Sequence, residues 1–218
     1  MTPEEIKKKW PLINTEDLKG ALYHNTDGYI NPADVTMAMA KGARQLGVKI
    51  ERKWQADAFN WTGTHWDVTC TKMVEKGGNL VSSDEQIVVT AEHVVTASGN
   101  HAQRTAKMLG IKIPAVPVEH QFIVMEKDPS LVEYRESGNL EHPVIRDADA
   151  QSYVREERGG WILGVYEKDA PARFEHGVPD SFRADLFPLA LERIEEQYMA
   201  MIHRIPSCAE SGLKGDFN

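Results

Sequence analysis

The chain has 218 residues, of which 41% are hydrophobic and 27% charged, the composition of an ordinary globular protein with one large or two small domains. Its net charge of −8, with no basic cluster beyond residues 7–9, argues against a nucleic-acid partner. No apolar run approaches about 18 residues and no signal peptide is present, so nothing indicates a membrane. Cys70 and Cys208 fit a reducing compartment, and neither they nor the eight histidines show metal-ligand spacing, so no metal is predicted.

The first predicted element is a short helix near the amino terminus. Thr2 can cap it, Pro3 suits its first turn, and the two glutamates that follow complement the positive end of its dipole. The helix is expected to end before Pro11. Residues 21–23 are expected to form a short strand or extended segment that leads into the next unit.

Residues 27–50, DGYINPADVTMAMAKGARQLGVKI, predict a turn, a helix, a short loop and a strand. Asn31 can cap the helix, Pro32 suits its first turn, and Gly47 ends it before the apolar segment 48–50. One apolar stripe at helical spacing runs along the helix through Val35, Met39, Ala43 and Leu46. Because such a stripe needs cover, the helix is expected to lie on a sheet as one α/β unit of a larger fold.

After residue 50 the apolar residues alternate with a period of two, which predicts strands. Three antiparallel strands are expected at residues 56–61, 65–73 and 86–91, with turns at Gly63 and at the pair 77–78. The segment 92–99, EHVVTASG, is expected to be a short buried strand followed by a helix over 101–109. A second domain is expected from Pro114 onward, with strands at 118–126 and 143–146, a hairpin of 152–157 with 161–167, and a helix over 180–204 closed by Pro206.

Several of these segments, in order along the chain, resemble those of the FAD-dependent amine dehydrogenases and oxidases of the DAO superfamily. VPVEHQFIVMEKDP (116–129) resembles the PVQHQY-type strand of the dimethylglycine and sarcosine dehydrogenase branch. HPVIRDADAQSYVREERGGWILGVYE (142–167) resembles the P-x-[LI]-RD…YY-x-R-x-E…GLL-x-G-x-YE run of that branch. HGVPDSF (176–182), DGYINP (27–32) and VVTASG (94–99) extend the resemblance over nearly the whole chain.

The resemblance implies an α+β fold. One part is the second half of a two-dinucleotide-binding-type FAD domain, namely a βα unit plus a three-stranded meander, and the other is a substrate-binding domain of antiparallel sheet with flanking helices. The expected division is 1–22 as linking helix and leading strand, 23–113 as partial FAD-binding domain, 114–206 as substrate-binding domain, and 207–218 as a truncated return to the FAD domain.

Three features depart from the family pattern. The family begins with a G-x-G-x-x-G strand that binds the FAD pyrophosphate, whereas the first glycine here is Gly20 and no such motif occurs. The chain also ends at residues 215–218, about where the NGP motif of the family is expected, and Asn100 replaces the usual aromatic residue. We therefore expect an internal fragment of a longer enzyme, which by itself lacks FAD and activity.

The resemblance assigns catalysis to Tyr153 and His120, which face the substrate at the flavin in the family. From the residues alone, a packing tyrosine and a satisfied sheet histidine are the better interpretations. Arg155 alternates onto the same strand face as Tyr153 and could clamp a substrate carboxylate. An ion pair of Arg155 with Glu156 or Glu167 is equally compatible with the sequence.

The resemblance also places three residues against the cofactor: Ser98 and Gly99 at the end of the 92–99 strand, and Ala56, whose backbone faces the adenine. From the residues alone, Gly99 could equally serve a plain strand-to-helix turn. Ala97-Ser98-Gly99 is not a nucleophile elbow, because the glycine two residues before the serine is missing.

The implied activity is FAD-dependent oxidative N-demethylation of a small methylated amino acid such as dimethylglycine or sarcosine. The iminium product would release formaldehyde, or react with tetrahydrofolate if the full-length protein has a folate domain; the electron acceptor is left open. A cytoplasmic location is expected, or the mitochondrial matrix in a eukaryote, and a homo-oligomer is expected because the missing βα unit uncovers apolar surface. The alternative is a non-catalytic, stand-alone binding or scaffolding module.

Overall fold

The computed structural model describes residues 1–179, 182 and 185–217 of the chain. The described residues form helices and strands in this chain order: α1 Pro3–Lys9, α2 Pro32–Gln45, β1 Trp54–Trp61, β2 Trp66–Lys76, β3 Asn79–Ala91, α3 Ala102–Met108, β4 Phe122–Met125, α4 Pro129–Glu136, β5 Ile145–Asp147, β6 Ser152–Glu157, β7 Gly160–Val165, α5 Glu195–Arg204 and β8 Leu213–Phe217. Short 3₁₀ turns lie at Gly99–His101, Leu191–Arg193 and Pro206–Glu210. The architecture mixes helices with two antiparallel sheets, as expected for an α+β fold.

The chain folds as two compact units. The first, called unit one, consists of residues 1–29, 118–172 and the described residues after 182. The second, called unit two, consists of residues 30–117 with 173–179 and 182. Each unit contains one of the two sheets.

Unit one contains a five-stranded sheet in the order β5-β6-β7-β4-β8, with each neighbouring pair antiparallel. Alternate side chains of its strands point into the core, because successive residues of a strand face opposite sides. These core residues are Ile123, Met125, Val154, Trp161, Leu163 and Val165, and they pack with Ile6, Trp10, Leu131, Ile194, Met201 and Cys208 from the helices and turns around them. The sheet therefore has one face buried against helices.

The predicted hairpin of β6 and β7 is confirmed, with pairing from Glu157↔Gly160 to Ser152↔Val165. Gly159 has a positive φ of 83°, which glycine adopts without strain. A Cβ at Gly160 would collide with the carbonyl oxygens of Met125 and Glu126. Both glycines of the turn are therefore required, for different reasons.

The predicted helix over 180–204 is wrong in its first half. Residues 180, 181, 183 and 184 lie outside the described residues, and the helix begins only at α5. Gln121 explains the irregular segment before it, because its side-chain amide donates to the Ala190 carbonyl at 3.0 Å and accepts from the Ala190 N–H at 2.7 Å. Pro188 also disfavours a helix there, since it lacks an N–H donor.

Unit two contains the predicted meander, in the order β1-β2-β3. The strands pair from Trp61↔Trp66 and from Lys76↔Asn79, so both predicted turns are confirmed. The strands are longer than predicted: β1 gains residues 54–55, β2 gains 74–76 and β3 gains 79–85, a mixture of apolar and polar residues that join the ladder. Register shifts at residues 56–58 and 71–73 mark two bulges.

Helix α2 begins as predicted, since the Asn31 side chain accepts from the N–H groups of Ala33 and Asp34 at 2.9 and 3.1 Å. Its apolar stripe does not lie on a sheet: Met39 is 73% exposed and Leu46 87% exposed. The predicted strands at 48–50 and 92–99, and the leading segment 21–23, pair with no strand among the described residues. An apolar run becomes a strand only when a partner supplies its hydrogen bonds, so the strands predicted at 48–50 and 92–99 are wrong, and Gly99 begins a 3₁₀ turn instead. For 21–23 the strand alternative is wrong, and the extended alternative stays a prediction.

Residues 213–217, predicted as part of a return to the FAD domain, form the edge strand β8 beside β4. Within the described ranges, no helix combines the length and apolar content that crossing a bilayer requires.

The two cysteines are predicted to differ in reactivity. Burial raises the pKa of the fully buried Cys208 to about 12, with Asp128 nearby adding to the shift. Cys70 is half-buried, and burial raises its pKa by a smaller amount. Because the thiolate is the reactive form, iodoacetamide at about pH 8 should label Cys208 roughly 1,000-fold more slowly in the folded chain than in the unfolded chain.

Mass spectrometry of digested, time-sampled protein measures this difference, and chain unfolded in guanidinium provides the control in which both cysteines label. Labelling of Cys208 as fast as Cys70 in the folded chain would contradict the buried position of its thiol.

Candidate active site

One row of side chains crosses the five-stranded sheet on the face opposite the core. The strand register pairs Arg146 with Tyr153, Tyr153 with Gly164, and Gly164 with Phe122. Residues that pair directly across neighbouring strands share a face of the sheet. We call this face, defined by Arg146, Tyr153, Gly164 and Phe122, the site face.

Tyr153 lies across the site face because the residue beside it is glycine. A Cβ at Gly164 would overlap the phenol ring of Tyr153. Partial burial raises the pKa of Tyr153, the neighbouring Tyr166 adds to the shift, and Arg155 opposes it. The phenol therefore keeps its proton above its usual range and is a hydrogen-bond donor at neutral pH.

His120 lies two residues before β4 and is hydrogen-bonded to a buried carboxylate. Its Nδ1 is 2.9 Å from Oε2 of Glu167, whose side chain is 2% exposed, whereas the His120 side chain is 34% exposed. A buried carboxylate therefore fixes Nδ1 of His120, while the imidazole side chain stays partly accessible.

Arg193 determines how Glu167 can act on His120. Its guanidinium donates to Oε1 of Glu119 at 2.6 Å and to Oε1 of Glu167 at 3.2 Å. A carboxylate is an acceptor, so Nδ1 of His120 must carry the hydrogen in this contact. In the neutral ring Nε2 then keeps its lone pair and can accept a proton.

Tyr166 connects these groups on the site face. Its ring centroid is 5.5 Å from that of His120 in an edge-on contact and 5.9 Å from that of Tyr153. The guanidinium carbon of Arg146 is 5.6 Å from the centroid of the same ring. The structure thus brings the two predicted catalytic residues, Tyr153 and His120, into contact with one aromatic ring.

Arg155 lies two residues beyond Tyr153 on β6, as the alternation predicts. Its guanidinium is 2.7 Å from Oε2 of Glu157, donates to the Glu156 carbonyl at 2.8 Å, and lies 4.4 Å from the Tyr29 ring centroid. The ion-pair partner is therefore Glu157 rather than the side chain of Glu156 or Glu167. Any carboxylate ligand of Arg155 must compete with this pair.

The predicted cofactor residues lie in unit two. Gly99 has a positive φ of 53°, and a Cβ there would have open space around it, so its backbone is accessible to a ligand. The Ser98 hydroxyl accepts from Thr105 Oγ1 at 2.9 Å. Nδ1 of His101 is buried without a partner among the described residues. An open glycine turn beside an unsatisfied donor or acceptor fits a polar ligand such as part of a dinucleotide.

Ala56 is half-buried on β1, opposite Cys70 and next to the register shift at residues 56–58. A bulge of this kind turns the local backbone, and a small side chain leaves that backbone accessible. Ala56 therefore also fits its predicted backbone contact. Among the described residues, no three His, Cys, Asp or Glu side chains converge to hold a metal ion.

Sequence reasoning missed four residues of the site: Glu167, Arg193, Gly164 and Arg146. Gly164 and Arg146 could have been found by aligning the predicted strands, because both share a register row with Tyr153. The contact of Glu167 with His120 spans 47 positions and that of Arg193 with Glu119 spans 74, so no local pattern indicates them.

The described residues define a fold that mixes helices with antiparallel sheet, and solved structures of known proteins share this fold. The pattern of the family described as FAD dependent oxidoreductase (DAO) matches residues 1–214, and the chain belongs to this family.

Relatives of the chain act on small methylated amino acids, as their names state. The chain is 33% identical over 213 residues to the mitochondrial dimethylglycine dehydrogenase of Rattus norvegicus, and the match covers 94% of this chain and 22% of that protein. It is 27% identical over 214 residues to the mitochondrial sarcosine dehydrogenase of Mus musculus, covering 98% and 21%. The chain therefore spans about a fifth of the length of these relatives.

Among solved structures, the L-proline dehydrogenase from P. horikoshii superposes with a TM-score of 0.70 at 21% identity. The match covers all of this chain and 50% of that one. At this identity the similarity supports the fold of the chain.

The orientation of His120 is predicted to depend on Glu167. In Glu167→Gln the acceptor-only partner is lost, so the ring should change from the Nδ1–H tautomer to a mixture of tautomers. Imidazole ¹⁵N spectra of the chain measure this ratio. The free energy of unfolding should also fall by about 1–3 kcal/mol, because Arg193 loses a charged partner.

Glu157→Gln is the matched control, since it removes a partner of Arg155 without touching His120. An unchanged tautomer ratio in folded Glu167→Gln would show that the carboxylate does not orient the imidazole.

Proposed function

We propose that the protein containing this chain catalyses the FAD-dependent oxidative N-demethylation of a small methylated amino acid such as dimethylglycine or sarcosine. The observation that carries the proposal is the pairing of His120 with buried Glu167 on the same face as Tyr153. Membership of the FAD dependent oxidoreductase family and the names of the relatives support it.

The first chemical requirement is a neutral amine, because a protonated nitrogen has no lone pair to assist loss of hydride from the adjacent carbon. Nε2 of His120 is the group placed to accept the ammonium proton, since Nδ1 is held by Glu167. The resulting imidazolium is stabilised by the same carboxylate. Arg193 and Glu119 keep that carboxylate in position.

Tyr153 supplies the second requirement, which is orientation. Its raised pKa keeps the hydroxyl protonated, so it can hydrogen-bond the substrate without exchanging its own proton at neutral pH. Gly164 lets the ring lie flat on the sheet, which restricts where the hydroxyl can point. The substrate methyl group is thereby held in one orientation.

When bound, FAD would supply the hydride acceptor that this oxidation requires. In this proposal Ser98, Gly99 and the backbone of Ala56 contact the cofactor, and unit two is the second half of a two-dinucleotide-binding-type FAD domain. The substrate leaves as an iminium, whose hydrolysis gives formaldehyde and the demethylated amino acid; capture by tetrahydrofolate replaces hydrolysis in a protein that has a folate domain. A eukaryotic protein of this kind is expected in mitochondria, as the relatives are.

Tyr153→Phe tests the assignment of the phenol in the FAD-loaded protein. The change removes one hydroxyl and little volume, so folding is preserved while flavin reduction should slow by roughly 10²–10⁴. The ratio of the two rates should stay constant between about pH 6 and 9, because the raised pKa of Tyr153 keeps the phenol protonated in that range. Stopped-flow bleaching of the flavin at saturating dimethylglycine measures the rate.

Gly164→Ala provides a second variant for the same hypothesis, because it displaces the ring but retains the hydroxyl. It should slow the same step. If Tyr153→Phe reduces its flavin as fast as the unchanged protein at every pH, the tyrosine serves only packing and the assignment is wrong.

We also propose that the 218-residue chain self-associates through unit two. Met39 and Leu46 on α2 and Val95 on the unpaired segment 94–97 are large apolar side chains at 73%, 87% and 89% exposure. Exposed apolar surface and unpaired extended backbone promote association. Light scattering at tens of micromolar should give at least twice the monomer mass.

The double variant Met39→Lys/Leu46→Lys should reduce this mass without unfolding the chain, because neither side chain is buried. A strictly monomeric parent chain at that concentration would refute the proposal.

A further inference from the structure

We infer that Arg146 binds the carboxylate group of the amino-acid substrate. The inference rests on the proposed function, in which the substrate is a small methylated amino acid. It identifies Arg146 as the residue that distinguishes amino acids from amines without a carboxylate. It is drawn from the strand register, the contacts of the guanidinium, and the charges around it.

The strand register places Arg146 beside the catalytic phenol. Arg146 on β5 is the direct cross-strand partner of Tyr153 on β6. Neighbouring strands are about 4.8 Å apart, so the two side chains start one strand spacing from each other on the site face. The register therefore makes Arg146 and Tyr153 direct neighbours on the site face.

The charge of Arg146 is available for a ligand. Its guanidinium makes no hydrogen bond or ion pair with any residue that the structure describes, and its side chain is exposed. The adjacent carboxylate, Asp147, is engaged elsewhere, since it accepts from Arg204 at 3.3 Å. The Arg146 guanidinium is thus not paired with Asp147, and its N–H groups are available to bind an anion.

Tyr166 holds the guanidinium over the site face. The 5.6 Å separation between Arg146 Cζ and the ring centroid is a cation–π distance. The same ring contacts Tyr153 and His120. Because an aromatic ring takes no N–H hydrogen from the guanidinium edge in such a contact, the N–H groups of Arg146 can form two parallel hydrogen bonds with a carboxylate.

Arg155, the residue that the sequence suggests for this role, is the natural comparison. It lies on the same face but is already 2.7 Å from Glu157. Binding a substrate carboxylate there requires breaking that ion pair, whereas Arg146 requires no such exchange. The two arginines therefore form a matched pair for experiment.

The test measures binding of two probes to the protein loaded with FAD that has been reduced beforehand, so that no hydride transfer can follow binding. Calorimetry under anaerobic conditions compares N,N-dimethylglycine with dimethylaminoethanol, which lacks the carboxylate. The unchanged protein should bind dimethylglycine at least tenfold more tightly. Arg146→Gln should weaken dimethylglycine binding by about 10–100-fold and leave dimethylaminoethanol binding within twofold. Arg146→Lys should recover only part of the loss, because it restores the charge but not the fork. Arg155→Gln should bind both probes as the unchanged protein does.

Each other outcome has a defined meaning. If the unchanged protein binds the two probes equally, or binds neither, the proposed substrate class is wrong and the assignment falls with it. If it prefers dimethylglycine but Arg146→Gln retains that preference, the function stands and the role of Arg146 is refuted. Loss of the preference in Arg155→Gln instead would assign the carboxylate to Arg155.

Discussion

The alternation of side chains along β7 is the constraint on which unit one depends. Trp161, Leu163 and Val165 point into the core and are almost fully buried, so they determine which side of the sheet the helices cover. A shift of one residue in register would exchange the two faces of a strand. Gly164, which lies between two of these core residues, is thereby placed on the site face, where its lack of a side chain leaves room for the Tyr153 ring. Core packing and site geometry are therefore set by the same strand.

Glu119, Arg193, Glu167 and His120 form a charged group that is costly to bury. Its presence is better explained by the orientation that it gives to His120 than by a contribution to the stability of the fold. Burying charges removes their hydration, and replacing a buried ion pair with apolar residues often leaves stability unchanged or improves it. Here one arginine satisfies two carboxylates that are each about 2% exposed, and the second carboxylate oxygen of Glu167 faces a partly exposed imidazole. What the arrangement provides is a histidine with one defined tautomer. That property matters for proton transfer and contributes little to folding.

The parts of the fold that sequence predicts are those decided by neighbours along the chain. The caps at Thr2 and Asn31 form as expected, because a side chain two or three positions away satisfies the first helical amides. The β6–β7 hairpin forms because its turn glycines and alternating residues agree. The failures involve distant partners: residues 48–50 and 92–99 lack a neighbouring strand among the described residues, and the Gln121 amide holds Ala190 in an extended segment where a helix was expected.

In the candidate site, too, the contacts that sequence does not predict are those between residues that are distant along the chain, and here they concern substrate binding. Reading along β6, alternation places Arg155 on the face of Tyr153, and the sequence therefore offers it as a candidate carboxylate ligand, with an ion pair equally compatible. Reading across the sheet, register places Arg146 beside Tyr153, and that neighbour is not visible until β5 and β6 are aligned. Local sequence also places Glu157 two positions from Arg155, where side chains share a face and opposite charges pair. In this sheet the residue two positions along the strand, Glu157, is the ion-pair partner of Arg155, and the residue across the ladder from Tyr153, Arg146, is the proposed carboxylate ligand.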